Sequence, residues 1–112
     1  MLIRLTLAAA LLSTPVLAAD AKEEACRYEA QVMAAVQQAR LDRVAEAKVA
    51  DHLAASDPSW PENYNAAIPQ MVGYVFQMKR RELKQNDLGT LWEQQCLQTW
   101  DQRQQMLEDM KN

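Results

Sequence analysis

The sequence predicts an all-α fold, a small bundle of about four helices stapled by one disulfide, and three observations predict it. Alanine, glutamine, glutamate, leucine and methionine dominate the chain, which has only 2 glycines in 112 residues and no run of β-branched residues. Apolar residues recur at threes and fours rather than in alternation, so no strand or hairpin is expected. Cys26 and Cys96 are the only cysteines, and each falls on the apolar stripe of its own predicted helix.

The chain opens on a leader of the export type. Arg4 and the amino terminus make a positive start, Leu5 to Leu12 is an apolar run, Pro15 breaks it, and Val16-Leu17-Ala18 places small residues where a signal peptidase cuts. Residues 1–18 therefore read as a signal peptide and 19–112 as a single helical domain; cuts after Ala19 or Ala21 are the alternatives. The leader's apolar run is about ten residues, short of the roughly 20 that span a bilayer. No later segment approaches that length, so no stable membrane span is expected. Lipid attachment would need a cysteine directly after the cut, and Cys26 follows Glu23-Glu24-Ala25 instead. The expected location is the periplasm, with secretion as the alternative.

Export changes how the cysteines read. In an oxidising compartment an even pair implies a disulfide. Closing so long a loop stabilises a fold by about 4 kcal/mol on the chain-entropy model. A redox pair is the rival reading, but the Cys-x-x-Cys spacing that tunes such pairs is absent.

The first helix is predicted over 21–40, with Asp20 as its cap and Glu23 answering three residues on. Cys26, Ala30, Met33, Gln37, Leu41 and Val44 share its stripe. Val49 and Leu53 lie on another side, so the face rotates around Arg40 to Arg43, and a second helix over 43–55 starts from Asp42. Ser56-Asp57-Pro58-Ser59-Trp60-Pro61 is a loop, since two prolines and capping residues stop a helix. A third helical stretch runs 61–85, kinked or restarted at Pro69. Ile68, Met71, Val72, Val75, Phe76, Lys79 and Leu83 form its inner face. Asn86-Asp87 is a turn and cap. The last helix, 88–109, carries Leu88, Leu91, Trp92, Cys96, Thr99, Trp100, Met106 and Leu107, so the bridge joins the first helix to the last.

The formal net charge is −3, and losing the leader removes only Arg4 among the charged groups. A nucleic-acid partner, which needs a basic face, is not expected. His52 is the single histidine, placed near the end of the second helix, where it complements the dipole rather than gathering a metal. Met33, Met71, Met78, Met106 and Met110 suit gaps between helices better than a copper(I) site, for no Met-x-x-Met cluster exists. Lys79, Arg80, Arg81 and Lys84 form the one basic cluster, at the end of the third helix, and could dock an acidic protein partner. Trp60, between two prolines, is the aromatic most exposed by position and the leading interface candidate, with packing over helix ends as its other role. The glutamines of the last helix, Gln94 to Gln105, read as its solvated face.

No carboxylate pair, glycine-rich phosphate loop or Ser/His/Asp set can be assembled, so neither an enzyme nor a cofactor is expected. The expected function is non-enzymatic: a small exported helical protein that binds another protein or serves in envelope stress. One alternative is an acid-activated periplasmic chaperone, whose 15 acidic residues would lose charge below about pH 4. The other is a periplasmic copper binder using His52 and the methionines.

Three segments carry a resemblance. Cys26 opens a helix that leads to Val36-Gln37-Gln38-Ala39-Arg40; Met71-Val72-x-x-Val75-Phe76 follows; Asp87-Leu88-Gly89-x-Leu91-Trp92 then leads into Cys96. From Cys26 to Cys96 the chain resembles a loose group of small exported, single-disulfide helical proteins of Gram-negative bacteria, largely uncharacterised. The shared motifs are packing and disulfide positions, and the resemblance implies no activity. Many of that group have a glycine two or three residues after the arginine, where Leu41-Asp42-Arg43 stands here. The expected architecture also looks like that of the acid-activated periplasmic chaperones, which are small, helical and held by one disulfide.

Overall fold

A computed structural model describes the backbone of residues 14–112 and the side chains from residue 20 onward, and every regular element among them is helical. Helix α1 spans Thr14–Leu41, α2 Val49–Ala55, α3 Ile68–Gln77, α4 Arg80–Gln85 and α5 Leu88–Lys111, with 3-10 turns at Glu46–Lys48 and Glu62–Ala67. The all-α, disulfide-stapled bundle read from composition is the fold, with five helices rather than about four. The predicted leader lies outside the described residues up to position 13. From Thr14 the backbone is already α1, so Asp20 lies within the helix and does not cap it. Among the described residues no helix is long and apolar enough to cross a membrane.

The predicted break after Arg40 is present, and its chemistry is visible. Val44 N–H donates to Ala39 O at 3.0 Å and Arg43 N–H to Arg40 O at 3.1 Å, the paired bonds of a Schellman turn. That turn needs one residue in the left-handed region, and Arg43 takes it at φ 65°. Ala39 is in the core and Val44 packs against it, the apolar contact that accompanies this motif. Asp42 does not start the next helix; it accepts from Gln38 Nε2 at 2.9 Å, and the chain enters α2 through the 3-10 turn. Glycine adopts this conformation without steric penalty. Arg43→Gly is accordingly expected to stabilise the fold by about 0.5 kcal/mol, read as a higher urea midpoint. A lower midpoint would show that the arginine side chain holds the turn.

The loop at 56–61 stands as predicted. Ser56 Oγ donates to Leu53 O at 2.7 Å, Asp57 is left-handed at φ 55°, and Pro58 follows. Pro69 lies in the first turn of α3, a fresh start rather than a kink. The single stretch to Gln85, however, divides. Met78 and Lys79 are extended, at ψ 150° and 143°, and α4 begins at Arg80. This redirection puts Leu83 into the core at 1% exposure. It also lets Arg80 donate to Arg40 O at 2.9 Å and Leu41 O at 3.0 Å. A cation there complements the negative end of α1, not the helix that carries it.

The core gathers on the second half of α1. Val32, Met33 and Val36 meet Val49 and Leu53 of α2, Ile68, Met71 and Val75 of α3, Leu83 of α4 and Leu88 of α5. Gly89 lets α5 begin against α1, because a Cβ there would sit 3.0 Å from Ala30 O and 3.1 Å from Ala34 Cβ. Asp87 caps α5 as predicted, accepting from Thr90 N–H at 3.1 Å and Thr90 Oγ1 at 2.8 Å. The Thr90 backbone bond first, and then its hydroxyl, hold the Asp87 carboxyl below its ordinary 3.8. A depressed folded value means the cap contributes above the unfolded value and is lost as pH falls through the folded one. Acidification below about pH 4 is therefore expected to cost the wild type more than Asp87→Asn, a neutral cap, in parallel denaturation curves. Equal losses would remove the Asp87 charge from the account.

Beyond Trp92, α5 leaves this core. It pairs with α1 in antiparallel order, Leu88 at Gln37, Gly89 at Ala30 and Ala34, and Cys96 at Cys26. No α5 residue past Trp92 belongs to or packs on the core cluster. Met106 and Leu107, predicted as buried, are therefore 64% and 46% exposed. Leu91, on the same predicted stripe, is half-exposed.

Candidate functional site

The bridge predicted from composition forms where α5 departs from the core. Cys26 and Cys96 are joined with their Cα atoms 5.5 Å apart, Cys26 fully buried and Cys96 3% exposed. Two charged residues converge on it. Helical side chains lean toward the amino end of their own helix. Glu29 on α1 therefore leans back toward Cys26, and Arg103 on α5 back toward Cys96. Arg103 Nη1 donates to both oxygens of Glu29, at 3.0 and 3.2 Å, while its Nη2 lies 2.8 Å from Cys96 Sγ. Glu29 Oε2 is 3.3 Å from the same sulfur, a contact without a proton since the sulfur is bonded. The guanidinium also stacks 5.3 Å from the Trp100 ring.

Around Cys96 lies a cleft of about 200 Å³ lined by Trp92, Gln95, Cys96, Thr99 and Arg103. Trp92 Nε1 is buried beside it without a hydrogen-bond partner. Arg103 remains about a third exposed while Glu29 is largely covered, so the cation is the part of the pair that meets solvent. Tyr28 and Tyr64 pack against each other in a tilted pair, with ring centroids 5.3 Å apart and an interplanar angle of 49°. Burial first, and then Glu29, Glu24 and Tyr28, raise the Tyr64 phenol above its ordinary 10.0, so it is a neutral group at physiological pH.

The residues singled out in the sequence do not assemble here. Trp60 is buried at 8% exposure, its indole N–H donating to Asn65 Oδ1 at 2.8 Å. It is a member of the core and is not the exposed interface aromatic that its loop position suggests. Of the basic cluster, Arg80 is taken up by α1, whereas Lys79, Arg81 and Lys84 are exposed. His52 is exposed in the last turn of α2. Met33 and Met71 are core residues and Met78 packs against them, while Met106 and Met110 are 64% and 78% exposed. Among the described residues, Cys26, Glu29 and Cys96 alone group as metal-type donors, and the bridge consumes both sulfurs.

Sequence reasoning missed Glu29 and Arg103. The available signal was a charged residue on an apolar stripe: Arg103 stands two turns after Cys96, and Glu29 one turn after Cys26. Gln37 falls on the predicted stripe of the first helix, but its partners were not foreseen. It is buried, donating through Nε2 to Leu83 O at 2.6 Å and Asn86 O at 2.7 Å, while its Oε1 accepts from Leu88 N–H at 3.1 Å. It belongs to the scaffold that sets the direction of α5.

No family model, curated protein or solved structure matches the chain.

Proposed function

We propose that this is a non-enzymatic, exported helical binding protein that presents the far half of α5 to a protein partner in the cell envelope. One observation carries the reading: the stripe that is buried at Cys96 continues along α5 into exposed Met106, Leu107 and Met110. Three large apolar side chains near each other on one helix are a costly surface to leave in water. Flexible thioethers suit a surface that must fit a partner. The export-type leader with a cut after Ala18, the bridge, and the resemblance to small exported helical proteins support the location. An envelope-stress role fits the same surface. The basic residues Arg81 and Lys84 stand on α4 and Lys79 just before it, not on α5, and they are not needed for this stripe.

A photo-crosslinking amino acid placed at Met110, in cells that export the protein, is expected to yield one discrete protein adduct. Met106→Lys in the same chain should abolish it, and a probe at exposed Glu62 should yield none. Adducts of equal yield from all three chains would refute docking on α5.

A further inference from the structure

We propose that Cys96 is a thiol-exchange site: a small thiol bearing a carboxylate enters the cleft, attacks Cys96 Sγ, and opens the staple between α1 and α5. The observations are independent of the docking reading above. Cys96, although only 3% exposed, lines the cleft, whereas Cys26 is 0% exposed and does not line it, so Cys96 is the half of the bridge that an incoming nucleophile meets first. The attacking group is an anion, because the thiolate and not the thiol reacts. Arg103, partly exposed at that cleft with its Nη2 2.8 Å from Cys96 Sγ, offers the charge that draws a carboxylate and a thiolate in.

The step balances as an exchange. The incoming RS⁻ forms a bond to Cys96 Sγ, the Cys26–Cys96 bond breaks, and the electron pair leaves on Cys26 as a thiolate that takes a proton from water. The product is a Cys96–S–S–R mixed disulfide. A second RS⁻ can attack R–S, releasing RSSR and the Cys96 thiolate beside Arg103. Negative charge is spread over three sulfurs during each attack. Arg103 lies at Cys96 Sγ, the central sulfur of the first attack and the leaving sulfur of the second, and its guanidinium stabilises that charge in both. Glu29 acts in the opposite sense, since its oxygen 3.3 Å from Cys96 Sγ repels the same charge, and Arg103 offsets it by holding both carboxylate oxygens. The pair therefore sets the rate from both sides. Among the described residues, no other ionisable side chain touches either sulfur through a hydrogen bond or ion pair.

The consequence is mechanical. The bridge sits where α5 leaves the core, so opening it frees the half of α5 that carries Met106, Leu107 and Met110.

The test uses the oxidised, full protein and glutathione as the anionic thiol, with 2-mercaptoethanol as the neutral one. Mixed-disulfide formation is followed by mass spectrometry and the adduct is mapped by peptide. The adduct is expected on Cys96. Arg103→Met is expected to slow glutathione exchange about tenfold and mercaptoethanol exchange less, Arg103→Lys to restore most of the rate, and Glu29→Gln to speed it several-fold. If Arg103 only held the helices together, its loss would loosen the bridge and speed both reactions. That result, or an adduct on Cys26, or unchanged rates in Arg103→Met, would overturn the proposal.

Discussion

Replacing Gln37 with methionine is expected to destabilise the protein by about 3 kcal/mol although the shape is nearly conserved, because two buried backbone groups and one part-buried one lose their partner together. Leu83 O and Asn86 O belong to the end of α4, where carbonyls lack intrahelical donors, and Leu88 N–H is the first amide of α5, which lacks an acceptor. One amide side chain satisfies all three. Removing it costs about 1 to 3 kcal/mol for each group left buried and unpaired, and the apolar gain of a buried thioether, about 1 kcal/mol, offsets part of that. The net loss is a large share of the roughly 5 to 15 kcal/mol that holds a domain together. Urea unfolding of Gln37→Met measures it. Gln37→Glu provides the sharper control: an ionised carboxylate has no proton to offer the two carbonyls, so at neutral pH this variant should be the less stable of the two. It should recover as pH falls and the carboxyl regains a donor. A loss below about 1 kcal/mol in Gln37→Met would mean that water replaces the clamp.

Gln37 also marks the boundary between what local pattern reveals and what it hides. The helices of this chain could be read from spacing because each carries its own stripe: Met33 and Val36 on α1, Met71 and Val75 on α3, Leu88 and Trp92 on α5. Their caps and stops were local as well, in Pro58, Pro69 and Asp87. The break at Met78 was not legible, since its cause is tertiary: Arg80 is drawn to the carbonyls of Arg40 and Leu41, which lie far away in sequence. The exposure of Met106 was equally hidden. Periodicity shows that a stripe exists, but only the packing shows where the covering layer stops. Of the candidate site, the bridge was legible from two cysteines and the predicted leader, and its charged surround was not. Glu29 and Arg103 are seventy-four positions apart, so nothing in the local pattern of either predicts the other.

The bridge itself should carry the largest single contribution, and the double variant Cys26→Ala, Cys96→Ala isolates it without leaving a lone thiol. The two cysteines are 70 residues apart, and closing such a loop lowers the entropy of the unfolded chain by an amount worth about 4 kcal/mol. The loss is expected to be uneven. Trp60, Met33, Ile68 and Leu83 lie in a core that neither sulfur enters, so tryptophan fluorescence should still report a folded core around Trp60. The far half of α5 lies past that core and is held to α1 by the bridge and by the Glu29–Arg103 pair, and a partly exposed ion pair contributes at most about 1 kcal/mol. Amide exchange should therefore accelerate most from Gln98 to Lys111 and least at Val32 to Ala39, where native-state opening must disrupt buried packing. Uniform acceleration along the whole chain would place the bridge inside one cooperative unit, and an α5 still fully protected would assign its attachment to helix packing alone.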